Sequence, residues 1–573
     1  MTGLQGFSLN TLDLIAFAMY FVVLSAIGFW VGRKEKSGAE DYFLAGRTLP
    51  WYVVGGSFIA SNISTEHFIG MIGAAFVYGV CVSMSEWGNI ISFSFLIWLF
   101  IPFLLSAKVF TTPEFMERRF NATLRQFFAI VTIISNVVAF LAAVLYGGGL
   151  AIHKLFGWNL GFSIIALGVV AGSWAVYGGL RSVAWTDFFT VIVMLVGGTL
   201  VTILGLNMLA GDSGSLIDGF RVMIERNSAQ AGVWQEVVAQ NAQSIVGMDE
   251  YHRLSVIQPL THRTTPWLSL ITGFLTVSIW YNVINQFMIQ RVLGAKDAWH
   301  ARMGIVFAGY MKVFLPFIIV VPGLILFAAN PDVMKMPWDQ IQVEADKGYI
   351  HMLQTLVPAG LRGLFLAALF GAIQSTVNSV LNSTATVFTL DIYKRHLHKA
   401  ATEKRLVRVG MISTVVILII SIVMAGYIER FGGSLFVYIQ SLYAFFAPPF
   451  AAVFLLGILF KRINGKGATA AVFIGFVFGI AMKLYIQFCP PHPLWLEPYA
   501  NQSLVNWVVC VVTCVAVSLM TKPPKPEQVT DQLTLNWHKL NIFKDLGKHW
   551  YSNVTFWWAI FFMIVVLLIF ILR

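Results

Sequence analysis

Residues 50–79 read PWYVVGGSFIASNISTEHFIGMIGAAFVYG, a stretch long and apolar enough to cross a bilayer whose middle holds Asn62, Ser64, Thr65, Glu66 and His67. An ionisable group at bilayer depth costs about 2.5 kcal/mol or more, so such a cluster persists where a neighbouring span or a water-filled cavity satisfies it. The run reads as a binding site inside a membrane.

The rest of the chain agrees with that setting: of 573 residues, 58% are hydrophobic and only 11% charged. Apolar windows of about 20 residues, the length that crosses the hydrocarbon layer, recur from end to end. They predict an all-α polytopic protein with fourteen spans, over 11–32, 50–79, 83–107, 126–152, 158–178, 185–210, 266–292, 304–329, 362–392, 406–428, 434–460, 467–489, 503–520 and 551–572.

Orientation follows from the basic residues. With the amino terminus outside, Arg33, Lys34, Lys36, Lys108, Arg118, Arg119, Arg125, Arg291, Lys296, Arg302, Lys394, Arg395, Lys399, Lys461, Arg462, Lys466, Lys522, Lys525, Lys539, Lys544 and Lys548 all face the cytoplasm. That places about 26 Lys and Arg inside against about 10 outside, the bias of a multi-pass plasma (inner) membrane protein with both termini external. The net charge of +11 is then carried mostly by loops facing anionic lipid, and no nucleic-acid partner is needed. No obligatory protein partner is evident.

The first apolar span is followed by Arg33 and Lys34 without a small-residue cleavage site, so it reads as an uncleaved helix. Cys81, Cys489, Cys510 and Cys514 form no metal pattern. The chain carries no HExxH, no nucleophile elbow and no phosphate-binding Gly-Lys-Ser/Thr loop, which argues against an enzyme or an ATP-driven pump. An ion gradient remains as the driving force, each monovalent cation contributing about 2.3 kcal/mol per 100 mV, or roughly fortyfold accumulation. Two longer external segments, 212–265 and 330–361, are expected to hold short helices, and Asn501-Gln-Ser503 reads as a glycosylation acceptor.

The span 266–292 repeats the oddity of 50–79 by interrupting apolar sequence with Ser278, Trp280, Tyr281, Asn282, Asn285 and Gln286. Five spans separate the two. Transporters built from inverted repeats place a discontinuous helix in corresponding positions of each half, where the breaks meet at a midplane site. The organisation expected is therefore one transmembrane domain over 1–573: an extra helix at 11–32, a first repeat at 50–210, the external loop 212–265, a second inverted repeat at 266–460 and peripheral helices over 467–573.

A third polar run, Gln374-Ser-Thr-Val-Asn-Ser379, sets Ser375, Thr376 and Ser379 together on one helix face. Such hydroxyls either bond the i−4 carbonyl and neighbouring helices or supply hard oxygen ligands to a weakly held alkali ion. Asp187 either pairs with Arg181, caps a helix or completes an ion site, while Lys312, about eight residues inside a span, requires a polar partner. Glu86 and Gln440 fall on spans expected to line the same interior.

These residues belong to longer strings: Glu40-Asp-Tyr-Phe-Leu-Ala-Gly-Arg47, Ala60-Ser-Asn-Ile-Ser64, Tyr177-Gly-Gly-Leu180 with Trp185-Thr-Asp187, Asn382-Ser-Thr-Ala-Thr386 with Asp391-Ile-Tyr393, and Ala451-Ala-Val-Phe-Leu-Leu-Gly457. Over nearly its whole length the chain resembles the sodium/solute symporters, in the group of the sodium/glucose cotransporters and the bacterial sodium/galactose symporter. The resemblance implies a LeuT-type fold of five plus five core helices with one extra N-terminal and three extra C-terminal helices, alternating access, Na+ as coupling ion and no organic cofactor. It implies a sodium site at Ala60, Ile63, Ala372, Ser375 and Thr376, and a second at Asp187, Ser375, Asn378 and Ser379.

For the solute it implies His67, Glu86, Asn89, Ser278, Tyr281, Asn282, Lys312 and Gln440, with Tyr281, Phe436 and Met71 as gates. Asn282 stands where sugar-carrying relatives usually have Trp, and Ser85 where an aromatic is common, which leaves the solute open. A sugar or polyol is the first expectation; sialic acid, a uronate or a monocarboxylate, and a non-concentrating sugar sensor on the same scaffold, are the alternatives.

Overall fold

Lipid offers no partner to a backbone N–H or C=O, so each apolar window satisfies its own polar groups by becoming a helix. The computed structural model describes residues 9–33, 38–428, 435–536 and 544–573, and among them helices account for all regular structure apart from isolated bridges. Eleven of these helices are long and apolar enough to cross a membrane. Lys34, Lys36 and Lys539, counted above among the inner charges, lie outside the described residues.

The difference from the fourteen expected spans has local causes. The stretch 50–79 is divided into Trp51–Asn62 and a second limb, a π turn Glu66–Met71 running into Ile72–Tyr78, by Ile63, which is extended at φ −73°, ψ 121°. The stretch 266–292 is divided in the same way at Asn285, extended at φ −63°, ψ 126°, with π turns before it and the helix Gln286–Leu293 after it. Spans 158–178 and 185–210 run on as Leu160–Ala210 with one non-helical residue, Gly179 at φ 51°. Apolar composition does not report such breaks, so windows and continuous helices cannot agree in number.

Without a hydrophobic driving force between helices in lipid, close packing and interhelical hydrogen bonds hold them. Trp51–Asn62 meets Ala298–Ala329 backbone to backbone: a Cβ on Gly55 would lie 2.3 Å from the carbonyl oxygen of Gly304. The first helix, Thr11–Gly32, begins with a capping box in which Asn10 Oδ1 accepts from the Asp13 N–H and Asp13 Oδ2 from the Asn10 N–H. Asp13 Oδ1 also accepts the N–H groups of Gly360 (3.0 Å) and Gly363 (3.1 Å), tying that helix to the head of Arg362–Val387.

The segment 212–265 holds the helices Leu216–Ser228 and Gly232–Val246, and 330–361 holds Trp338–Ala345 and Gly348–Leu356. Arg253, fully buried beyond the first pair, donates to the carbonyls of Phe76 and Val77 at 2.7 Å and so closes the end of Ile72–Tyr78.

Three charges assigned to loops by sequence prove to be interior. Arg119 spends its guanidinium on the carbonyls of Gly457 (2.7 Å) and Phe460 (3.0 Å), Arg302 donates to the carbonyl of Lys544, and Arg291 is completely buried beside Asp187. Asn501 is no accessible glycan acceptor either, being buried with its amide on the carbonyls of Leu260 and Trp495.

Candidate functional site

The two breaks meet. Where Ile63 leaves the helix, the N–H of Ser64 turns to His67 Nδ1 (3.3 Å), which releases the carbonyl of Ala60 from its i+4 donor and leaves His67 Nε2 to carry the ring proton. Asn62, the last helical residue before the break, donates to the phenol of Tyr281 (2.8 Å) on the other broken helix.

Between the breaks lies a cavity of about 120 Å³. At about 10–15 Å³ for a single water on this measure, it has room for a small polar solute or its water. Its wall includes His67, Glu86, Asn89, Ser278, Tyr281, Lys312 and Gln440, together with Met71. The structure therefore gathers seven of the eight residues expected to meet solute, from stretches as far apart as 67 and 440.

Their polar groups are tightly connected. Lys312 Nζ donates to Glu86 Oε2 at 2.5 Å and also to Asn62 Oδ1, while His67 Nε2 lies 3.3 Å from Glu86 Oε1 without the alignment of a hydrogen bond. Gln440 Nε2 donates to Glu66 Oε1 (2.8 Å), whose other oxygen is 3.4 Å from the Tyr443 hydroxyl. A carboxylate can only accept, so Gln440 must offer it the NH₂ group and keep its carbonyl oxygen for another donor. Beneath Tyr281 the rings of Phe140, Phe287 and Tyr443 pack with centroids 4.8 to 5.6 Å apart, an apolar floor to a polar chamber.

Asn282 and Phe436 are not on the cavity wall. The Asn282 amide donates to Asn89 Oδ1 (2.6 Å) and Ser92 Oγ (2.9 Å), so this residue holds Asn89 from behind. Phe436 is wholly buried against Gly70, whose absent Cβ would lie 3.0 Å from its own.

Beside the cavity, Thr376 Oγ1 lies 3.1 Å from the carbonyl of Ile63 and 3.2 Å from that of Ser61, bringing the third polar run onto the first break. Ala372 is one turn earlier on the same face and, like Ala60, completely buried. Ser375 points elsewhere, donating to Asp187 Oδ1 at 2.6 Å. Asp187 also receives Ser57 (2.7 Å), Ser61 (3.2 Å) and Ser379 (3.4 Å), and its nearest cation is Arg291, not Arg181. Asn378 is buried with neither amide atom hydrogen-bonded.

At the other end of the cavity stand Thr264 and Thr265, held by His262, whose Nδ1 accepts both backbone N–H groups at 3.2 and 3.1 Å. Burial pushes the His262 imidazole down to about 3, so the ring stays neutral and free to accept.

Sequence reasoning passed over Asn62, Glu66, Tyr443 and Arg291. Asn62 and Glu66 sat inside the quoted polar run, and a buried Asp187 called for a counter-ion that the inner limb of the second broken helix supplies.

A family model described as "Sodium:solute symporter family" matches residues 42–475. The chain is 34% identical to the sodium/glucose cotransporter of Vibrio parahaemolyticus over 93% of its own length and 96% of that protein's. It is 32% identical to the human sodium/myo-inositol cotransporter, over 93% of this chain and 76% of that one. Among solved structures, a sodium-coupled sialic acid symporter in a substrate-bound outward-open state superposes with a TM-score of 0.71 over 90% of this chain and 99% of that one at 20% identity, a likeness of fold.

Proposed function

The chain belongs to the sodium:solute symporter family, a family of membrane transporters and not of enzymes, and on that premise we propose that it imports a neutral sugar or polyol with sodium by alternating access. The observation that carries the choice of solute is the charge of the cavity wall. Glu66 and Glu86 bring two carboxylates against the single ammonium of Lys312. In a site sheltered from water, a further anion such as a uronate or a sialate meets a surplus of negative charge. A polyhydroxylated neutral solute, in contrast, donates to Gln440 and Glu66 and loses nothing by leaving a carboxylate behind. Each hydroxyl left without a partner would cost about 1–3 kcal/mol, and this wall has partners for several. The glucose and myo-inositol named for the two relatives fit the same description.

In this reading His67, Glu86, Asn89, Ser278, Lys312 and Gln440 bind solute, Asn282 positions Asn89, and Tyr281 with Met71 closes the inner and outer sides. Sodium is held by the carbonyls of Ala60, Ile63 and Ala372 with the hydroxyls of Ser375 and Thr376. The bound ion braces the break at Ile63 and so prepares His67 for the solute; sodium and solute then raise each other's affinity by the same factor. The core is two inverted five-helix repeats over 50–210 and 266–460 in a LeuT-type arrangement, supported by the paired breaks at Ile63 and Asn285, within a protein of fourteen spans. It works in the plasma (inner) membrane with both termini outside.

The test is uptake into proteoliposomes of labelled glucose, galactose, mannose, myo-inositol, glucuronate and sialic acid under inward sodium, potassium or proton gradients. Concentrative, sodium-specific uptake of a neutral member is the expected result. Uptake of the acids alone would overturn the neutral-solute reading, and binding without accumulation would make the protein a sensor.

A further inference from the structure

The cluster around Asp187 already contains a cation. Arg291, on the inner limb of the second broken helix, has no exposed surface, and its Nη2 lies 3.6 Å from Asp187 Oδ2. The same guanidinium donates through Nε to Ser57 Oγ (3.0 Å) and through Nη2 to Ser379 Oγ. We propose that Arg291 is a tethered cation standing where a second sodium would bind, and that this transporter therefore couples one sodium, not two, to each solute. The inference rests on the sodium-symport reading above and refines it.

Two features of the geometry support the assignment. The first is charge: Asp187 is the single carboxylate in this buried cluster, and an added sodium would leave two cations facing one anion away from water. The second is ligation. The Ser57 and Ser379 hydroxyls send their protons toward Asp187 while their oxygens accept from Arg291, so the lone pairs that a cation would need are in use. The neighbouring amide of Asn378, which sequence reading placed in a second ion site, remains outside this network with both its atoms unpartnered, and the cluster closes without it. The sodium set around Ile63 and Thr376 holds no such built-in charge, so the two hydroxyl groups of one helix are set for different cations: a mobile one at Thr376 and a fixed one at Ser379.

The deciding measurement is the number of sodium ions per transport cycle, from the reversal potential of solute-coupled current, alongside equilibrium binding of radioactive sodium to the purified full-length protein. The unaltered protein is expected to carry one charge per solute and bind one sodium. Arg291→Met frees Asp187 and raises both counts to two, Arg291→Lys keeps them at one, and Arg291→Met combined with Asp187→Asn returns sodium binding to one. Two sodium ions in the unaltered protein, or a count that stays at one in folded Arg291→Met, overturns the proposal. Should Arg291→Met fail to fold, the counts for the unaltered protein and Arg291→Lys still decide it. Solute uptake with no sodium dependence at all would instead remove the symport reading on which it rests.

Discussion

The side-chain amide of Asn62 donates to the hydroxyl of Tyr281 across 2.8 Å, and this bond joins the two broken helices at the points where each is interrupted. A hydrogen bond of this kind contributes about 1 kcal/mol net, which is roughly fivefold in an equilibrium constant. Tyr281→Phe keeps the ring and removes the bond. Initial-rate uptake should show the apparent solute KM raised about fivefold, with a larger downhill leak of solute; a KM within twofold of the parent would mean that the bond does not help to hold the occluded state.

Lys312 and Glu86 form an ion pair with both side chains almost fully shielded. Removing one partner from a buried pair strands the other charge and costs about 3–5 kcal/mol, whereas removing both is far milder. Lys312→Met alone should lower the melting temperature in detergent substantially. Pairing it with Glu86→Gln should restore most of that stability while solute uptake stays lost. Equal melting temperatures for Lys312→Met and the double variant would show that the pair is not energetically coupled.

Thr376 reaches two carbonyls at the first break. Thr376→Ser retains an oxygen there, and Thr376→Val retains the shape without it. The half-saturating sodium concentration should rise at least tenfold in the valine variant, about 1.4 kcal/mol of lost ligation, and by much less in the serine variant. Identical sodium dependence in the two would place the ion elsewhere.

His262 holds the cavity's Thr264 and Thr265 as a neutral acceptor, its folded pKa depressed to about 3 from an ordinary value of 6.5. Because the folded value lies below the unfolded one, the unfolded chain takes up the proton first. Stability is fully present above about pH 6.5 and falls by about 1.4 kcal/mol per unit as pH drops toward 3. Melting curves should shift down between pH 7 and pH 5, and His262→Asn, an acceptor that does not titrate, should flatten that dependence. The same slope in both proteins would assign the effect to other groups.

The membrane setting, the two polar interruptions and most of the cavity wall were legible in the sequence, since lipid penalises every polar side chain that lacks a reason to be there. Pairings were not. Lys312 and Asn62 are 250 residues apart and Gln440 and Glu66 are 374 apart, and nothing local in either stretch marks its partner. Arg291 illustrates a related failure: at the end of an apolar run an arginine looks like a loop charge, and only the inner limb of the broken helix carries it inward to Asp187. Asn282 shows the converse, a position chosen as solute-facing by resemblance whose amide is occupied in holding Asn89.

The Asp13 carboxylate and its acceptor role at Gly360 are separated by 347 residues of chain. At about 5–20 residues per second of synthesis, the first helix waits roughly 20 to 70 s before the backbone it anchors has been made. During that interval it must persist as a lone span, lipid on all sides and one carboxylate held only by its own capping box. The contact that fastens the extra helix to the hydroxyl-bearing one is therefore among the late steps of biogenesis, and a ribosome stalled before residue 360 should leave that helix inserted yet unattached.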